Sequence, residues 1–191
     1  MSIRVHPVKG VSVSVPYLVP YAAAVAFFKL KREWVIQTVM KQRERYRDVP
    51  KAEQGQIEAM RKQAKSELPG RLAQLAQRHG FTYNKVTIKH NSTNWGSCSA
   101  KGNINLNLNI VRLPSALRDY VLLHELCHLR HHDHGHAFHL LLEHVCADNL
   151  LRLSEDGDPE AQSLSRSAAL SRARYPVDHV CSKAIKAYPL L

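Results

Sequence analysis

Hydrophobic and polar positions alternate with a period of two at the start of the chain. Residues 2–15 read SIRVHPVKGVSVSV, and the alternation is interrupted at Lys9-Gly10. This period places successive side chains on opposite faces of a strand, and a glycine in the interruption is typical of a tight turn. The pattern therefore predicts a short β-hairpin.

From about residue 21 to residue 81 the period becomes that of an α-helix. Residues 22–40 are apolar enough to predict a buried helix, and residues 41–47 are strongly basic. A further helical pattern covers residues 54–79, with apolar residues three and four positions apart. Pro69-Gly70 lies inside this pattern and predicts either two helices or a kink, because proline removes a backbone hydrogen-bond donor.

The β pattern returns after residue 84. Residues 85–90 predict a strand, and residues 94–110, NWGSCSAKGNINLNLNI, predict a second hairpin that turns at Lys101-Gly102. Asparagine is a poor strand former, yet three asparagines share one face of the second arm. Two interpretations of this face remain open: a solvent-exposed surface, or the border of a polar cleft. The apolar face consists of Ile104, Leu106, Leu108 and Ile110, and the polar face of Asn105, Asn107 and Asn109.

Two more helices are predicted towards the C-terminus. Pro114 is suited to the first turn of a helix. The following period places Leu117, Val121, His124, His128 and His131 on one face. A second helix is predicted over residues 136–153. We therefore predict one domain over residues 1–153 and a tail of uncertain structure over residues 154–191.

Composition narrows the class of protein. The chain has 191 residues, of which 45% are hydrophobic and 23% charged, which is enough for one substantial globular domain. The most apolar run, residues 15–28, is too short to span a bilayer, and the N-terminus lacks a secretory signal. The four cysteines form no C-x-x-C pair, which fits reduced thiols. A cytoplasmic protein without a membrane partner is predicted.

The net charge of +11 is concentrated in the N-terminal half. Residues 1–90 hold 17 of the 27 Lys and Arg residues but 6 of the 16 Asp and Glu residues. A basic surface suits nucleic acid or an acidic substrate, although a charge run usually forms only a solvated helix face. Nucleic acid is therefore an alternative partner, and binding that weakens steeply with salt would support it.

Seven of the 12 histidines lie within residues 124–139, HELCHLRHHDHGHAFH. His124-Glu125-x-x-His128 fits the H-E-x-x-H pattern of a metal-binding helix. Residues four apart lie one helical turn above each other, with Cβ atoms roughly 5–6 Å apart, so both imidazoles can reach one Zn²⁺ ion. Glu125 can then take a proton from the water that the metal activates.

The residues around this motif strengthen the prediction. In residues 120–129, YVLLHELCHL, Glu125 is the only charged side chain apart from the two histidines. A helix that is apolar on nearly all sides is buried, and a buried carboxylate without a partner is costly. A metal site supplies the partner, whereas the alternative is a chance match in a histidine-rich protein.

Spacing leaves the third ligand open between two residues. His134 lies beside Gly135, where the helix must break and the chain can fold back over the metal. Glu143 would reach the metal if it lay on a second helix facing the first. Spacing slightly favours His134. Cys98 and Cys127 are interpreted as core residues, and the remaining histidines of the region, His139 included, as surface or supporting groups.

Residues 94–144 resemble the YgjP-like family of metal-dependent hydrolases, relatives of the SprT-type zinc proteases. The family pattern runs through W-G-S-C-S, G-N-I-N-L-N, D-Y-x-x-x-H-E-x-x-H and N-H-S-x-x-F-W. The corresponding segments here are residues 95–99, 102–107, 119–128 and 133–135 with Phe138. IRVHPVKGVSVSVP and KREW are also similar, so the resemblance extends over about residues 1–153.

The resemblance implies an α+β zincin-like metallopeptidase domain. In that domain a small β-sheet with hairpins packs on the helix of the metal site, and N-terminal helices lie on another side. It maps the metal ligands onto His124, His128 and His134 and the general base onto Glu125, and it implies cleavage of peptide or unfolded protein substrates. Four positions depart from the family pattern: Asn94, Asp133, Gly135 and His139.

The alternative is a nucleic-acid-binding protein, or a DNA-associated protease, whose zinc is structural or vestigial. Structural zinc sites usually fill all four positions with protein ligands. A fourth ligand from Cys127 or His136 would therefore favour the alternative.

Overall fold

The computed structural model describes residues 1–6, 10–17, 19–46 and 54–191, and the chain divides into two compact units at residue 51. The first unit holds strands β1 (Ser2–His6) and β2 (Gly10–Ser14) and helices α1 (Tyr21–Leu30) and α2 (Arg32–Tyr46). The strands pair antiparallel, with Ser2 opposite Ser14. The predicted hairpin is confirmed, and the residues between its strands lie outside the described part of the chain.

The predicted burial of residues 22–40 is wrong. Ala24 and Val35 are the buried hydrophobic residues among those described in this unit, whereas Leu30 is 80% and Met40 65% exposed. Two helices and a hairpin have too little surface to cover every side of an apolar helix. Among the described helices, none has both the length and the apolar character that crossing a bilayer requires.

The second unit begins with one long helix, α3 (Gln54–His79), which contains Pro69 and Gly70 without ending there. The alternative of two helices is therefore wrong, and the alternative of a kink stays a prediction. Leu68 and Leu72, on either side of the proline, are fully buried. Burial of these turns stabilises the helix across the position where proline cannot donate a hydrogen bond, because packing rather than propensity supplies most helix stability in proteins.

A three-stranded sheet follows α3. Strands β3 (Lys85–Lys89), β4 (Gly96–Cys98) and β5 (Asn103–Asn107) are arranged in the order β3-β5-β4. β5 is parallel to β3 and antiparallel to β4. The predicted strand and second hairpin are confirmed, and β4 lies at an edge of this sheet.

The asparagines of the second arm follow neither interpretation fully. The strand ends at Asn107, and a 3-10 helix covers Leu108–Arg112. Asn107 and Asn109 are buried, at 1% and 0% exposure. The Asn107 amide nitrogen donates to the backbone oxygens of Asn91 at 2.6 Å and Asn94 at 2.9 Å. The Asn107 amide therefore holds the loop before β4 in place, and the Asn109 amide donates to Asn107 Oδ1 at 2.9 Å. Both predicted roles are wrong for Asn107 and Asn109.

Helices α4 (Ser115–Cys127) and α5 (His136–Glu155) pack against each other beside α3 and the sheet. Both predicted helices and the α+β class are confirmed, but α4 ends at Cys127, so the prediction that His131 lies on the face of this helix is wrong. A buried carboxylate joins the three helices. Asp119, 2% exposed, accepts two hydrogen bonds from the Arg71 guanidinium, at 2.8 and 2.5 Å, and one from the Asn149 amide at 3.0 Å.

The tail left uncertain by the sequence is helical. It contains α6 (Pro159–Ala169), α7 (Pro176–Ala184) and a 3-10 helix, Ile185–Ala187. α6 and α7 both pack against α5, and the side chains of Leu164 and Cys181 are buried. The compact units do not divide at residue 153, and the assignment of residues 1–153 as the catalytic domain stays a prediction.

We expect Arg71→Ala to lower the free energy of unfolding by about 3 kcal/mol, because it leaves the Asp119 carboxylate buried without its cation. Urea denaturation followed by circular dichroism measures this change. Arg152→Ala, which removes an ion pair to Asp148 on an exposed helix face, is the control and should leave the unfolding midpoint nearly unchanged. Equal midpoint shifts in the two variants would contradict the role given to Asp119.

Candidate metal centre

The structure brings together the three histidines that the sequence singled out. His124 lies in the last turn of α4, His128 directly follows the helix, and His134 lies just before α5. One ring nitrogen from each lies within 4.8 Å of the others. The Nε2 atoms of His124 and His134 are 3.1 Å apart. The described residues thus place three imidazole donors around one point.

A buried phenylalanine supports all three rings. Phe138, in the first turn of α5, has no exposed surface. Its ring stacks on His128 at a centroid distance of 4.6 Å and meets His124 and His134 edge-on, at 5.0 and 4.8 Å. Because tightly packed rings have few alternative rotamers, Phe138 restricts the directions in which the imidazoles can point.

The imidazoles are prepared to bind a cation. The Nδ1–H of His128 donates to the backbone oxygen of His131 at 3.1 Å. In the neutral ring the lone pair then lies on Nε2, which can bind a cation. Burial, together with the charges of His128 and His134, lowers the pKa of His124 to about 4. The neutral ring is the form that ligates a metal.

Glu125 is buried beside these rings. The residue is 5% exposed, and its Oε2 has no hydrogen-bond partner among the described residues. Burial raises the pKa of its carboxyl group to about 8. A carboxylate in such a place requires a nearby positive charge or a proton donor. Three imidazoles next to this buried carboxylate therefore fit a divalent metal ion.

Gly96, in β4, allows the strand to approach Glu125 closely. A Cβ atom at this position would lie 2.6 Å from Oε1 and 2.7 Å from Cδ of Glu125. Real Cβ atoms essentially never come so near, so any other residue would displace the carboxylate. Because glycine has no side chain, position 96 leaves the space that the Glu125 carboxylate occupies.

The alternative ligands lie elsewhere. The Glu143 carboxylate accepts hydrogen bonds from the backbone N–H groups of Val177, at 3.0 Å, and Asp178, at 2.9 Å, at the start of α7. Cys127 is fully buried in the hydrophobic core. His136 bonds the Tyr175 hydroxyl through Nδ1. Within the described residues, none of these joins the three imidazoles.

A cavity of about 490 Å³ opens in front of the three histidines. Glu125 and β4 line it, together with residues that the sequence did not single out. Burial and the neighbouring Glu125 raise the pKa of the Cys98 thiol in its wall, which makes this thiol unsuitable as a nucleophile. The residues missed are Ser182 and Ile185.

Asp178, in α7, connects this helix to α4 and α5, the helices next to the three histidines. Its carboxylate accepts a hydrogen bond from the Tyr120 hydroxyl at 2.7 Å and lies 2.7 Å from Nδ1 of His139. The Tyr120 ring in turn lies 6.2 Å from the ring of His124. Sequence reasoning assigned no role to Asp178. The sequence signal that could have pointed to Asp178 is its spacing: it lies three and four residues before Cys181 and Ser182, which places all three on one helix face.

Comparison with known proteins gives one family and one distant structural likeness. Residues 47–152 match the family model described as "YgjP-like, metallopeptidase domain". The crystal structure of the metallopeptidase zymogen of Pyrococcus abyssi abylysin is similar over 47% of this chain and 93% of that chain, with 21% identity and a TM-score of 0.37. No curated protein matches the chain significantly.

We expect His134→Ala to weaken Zn²⁺ binding by more than about 100-fold, because changes to residues behind metal ligands already cost about 10–100-fold. Titration calorimetry against a competing chelator measures the affinity. Glu143→Ala is the matched control: it should cost roughly 1 kcal/mol of stability through the lost cap of α7 and leave metal affinity unchanged. Retained binding in the first variant with loss in the second would identify Glu143 as the third ligand.

Proposed function

We propose that this chain, which belongs to the YgjP-like metallopeptidase family, is a zinc-dependent peptidase with Glu125 as its general base. The family match covers more than half of the chain and confirms both the resemblance and the zincin-like α+β fold. The observation that carries the proposal is the buried Glu125 carboxylate, whose Oε2 has no hydrogen-bond partner among the described residues, next to three imidazoles that line the same cavity.

His124, His128 and His134 would hold the zinc ion. Bound there, zinc would supply a Lewis acid that activates water and polarises the carbonyl of the scissile bond. Three protein ligands leave a position for water, which is typical of catalytic zinc, whereas a structural site uses four. The positions of Cys127 and His136 therefore support catalysis over a structural zinc.

Glu125 moves the proton. Its carboxylate accepts a proton from the attacking water and passes it to the nitrogen of the departing amine. A cation held by the imidazoles would favour the ionised carboxylate, which accepts the proton. Burial favours the protonated form, so the same group can hold the proton between these two steps.

The β4 edge would bind the substrate. In the order β3-β5-β4, one side of β4 has no neighbouring strand within the described sheet. An extended peptide can add to such an edge through backbone hydrogen bonds, and Gly96 to Cys98 of this strand line the cavity. Strand addition requires an extended chain, which supports peptides and unfolded proteins as substrates.

Nucleic acid stays a predicted alternative partner. Its support is the excess of Lys and Arg in residues 1–90, whereas every residue that lines the cavity lies beyond residue 90. Binding of this kind would add to the peptidase activity rather than replace it.

We expect Glu125→Gln to retain zinc and lower the rate of peptide cleavage by about 10²- to 10⁴-fold, the range usual for loss of a general base. Metal analysis and hydrolysis of an unfolded protein such as casein measure both quantities. Glu58→Gln, an exposed glutamate of α3, is the matched control and should behave as the unaltered protein. An unchanged turnover rate in the Glu125 variant would refute the proposed base.

We expect Gly96→Ala to keep the protein folded and loaded with zinc while lowering kcat by roughly 100-fold, since displacement of a catalytic group by about 1 Å has this effect. The added methyl group meets the end of a flexible side chain, so the side chain of Glu125 moves before the backbone does. Gly70→Ala, with nothing within 4 Å of the new Cβ, is the control. A full rate in Gly96→Ala would show that Glu125 does not need this position.

A further inference from the structure

One wall of the cavity comes from a part of the chain that the family model does not match. The match ends at residue 152. Ser182, in α7, and Ile185, in the following 3-10 helix, nevertheless line the same cavity as Glu125 and the three histidines. The C-terminal segment is therefore part of the site and not an appendage to it.

The wall is built on one face of α7. Asp178, Cys181, Ser182 and Ile185 are separated by three, one and three residues, the spacing that places side chains on one side of a helix. Cys181 is 1% exposed and Ile185 packs partly against the core. Lys183 lies on the exposed side.

Several contacts hold this wall in position. The Glu143 carboxylate accepts hydrogen bonds from the backbone N–H groups of Val177 and Asp178 at the start of α7. Asp178 in turn bonds Tyr120 of α4 and His139 of α5. α7 is thereby tied to the two helices that carry the metal centre, so its inner face has a fixed position relative to Glu125.

The wall contributes an apolar residue, Ile185, to the cavity. Trp95 and Val121, from other parts of the lining, are also apolar or aromatic. The Ser182 hydroxyl donates to the backbone oxygen of His179 at 3.0 Å, so its hydrogen is already engaged within its own helix. Where Ile185 lines the cavity, an apolar side chain is bound more favourably than a charged one, because a charge beside this residue would lose its water without gaining a partner from it.

We infer that Ile185, supported by Ser182, determines which substrate side chain is accepted beside the scissile bond, and that it selects an apolar one. This inference rests on the proposed peptidase function. It assigns substrate selection to the segment after residue 152, whereas the metal and the general base come from the matched segment.

Two opposite charges at one position test the inference. Peptides that differ only in Leu, Lys or Glu next to the cleaved bond are compared by kcat/KM. Both Ile185→Lys and Ile185→Glu should lower the preference for Leu by about 10-fold, a change usual for a lost apolar pocket contact. The Lys variant should shift selection towards Glu peptides, and the Glu variant towards Lys peptides. A purely structural role for Ile185 cannot produce shifts of opposite sign.

Matched variants control for folding and for net charge. Ile185→Leu keeps an apolar wall and should retain the preference for Leu. Lys183→Glu changes the charge on the exposed side of the same helix and should leave the order of the three peptides unchanged. Circular dichroism and zinc content are measured for each variant.

A binding measurement separates this inference from the proposed function. Trp95 lines the cavity and Trp34 is the other tryptophan of the chain, so a Trp34→Phe, Glu125→Gln protein reports peptide binding through Trp95 fluorescence. If no peptide is cleaved but the charge variants shift binding in opposite directions, the peptidase is refuted and the selecting wall stands. If cleavage occurs and both charge variants change all three peptides in parallel, whether down or up, the inference about Ile185 is overturned.

Discussion

The site depends on the cost of burying a carboxylate. Glu125 lies in the most apolar part of α4, where its negative charge has lost water and has gained no hydrogen bond at Oε2 within the described structure. Such a group persists only where a cation or a proton stabilises it. The three imidazoles, the glycine that lets β4 pass over the carboxylate, and the cavity in front of it are arranged around that requirement. The proposed metal ion and the proposed base would therefore be two parts of one electrostatic arrangement.

In the second compact unit, the residues of the candidate site and the residues that hold its helices together lie in different places. The metal centre uses the end of α4 and the loop that leads into α5, while Arg71, Asp119 and Asn149 fix the opposite side of these helices to α3. This ion pair lies away from the cavity and contributes no group to it. A short helix can thus present reactive side chains at one end because a charged, hydrogen-bonded contact holds it at the other.

Much of this arrangement could be predicted from local sequence. The H-E-x-x-H spacing placed His124 and Glu125 on one helix, and Gly135 indicated the return of the chain that brings His134 near them. The reasoning was wrong where long-range packing decided the outcome. Pro69 stays within α3 because the turns on both sides are buried, and Asn107 is buried because loop carbonyls accept from its amide. The wall from α7 was missed because no local pattern reports which distant helix will cover a cavity.

The stacking of Phe138 beneath the histidine rings has a consequence for the protein before it has acquired its ion. The aromatic ring and the surrounding hydrophobic core hold the three imidazoles in place through contacts that involve no metal. Metal binding would then occur at a site that is already formed, in contrast to small zinc modules, which fold only when the ion binds. A chelating agent would consequently remove the proposed metal-dependent activity without unfolding the protein, and the activity would return when the ion is added back.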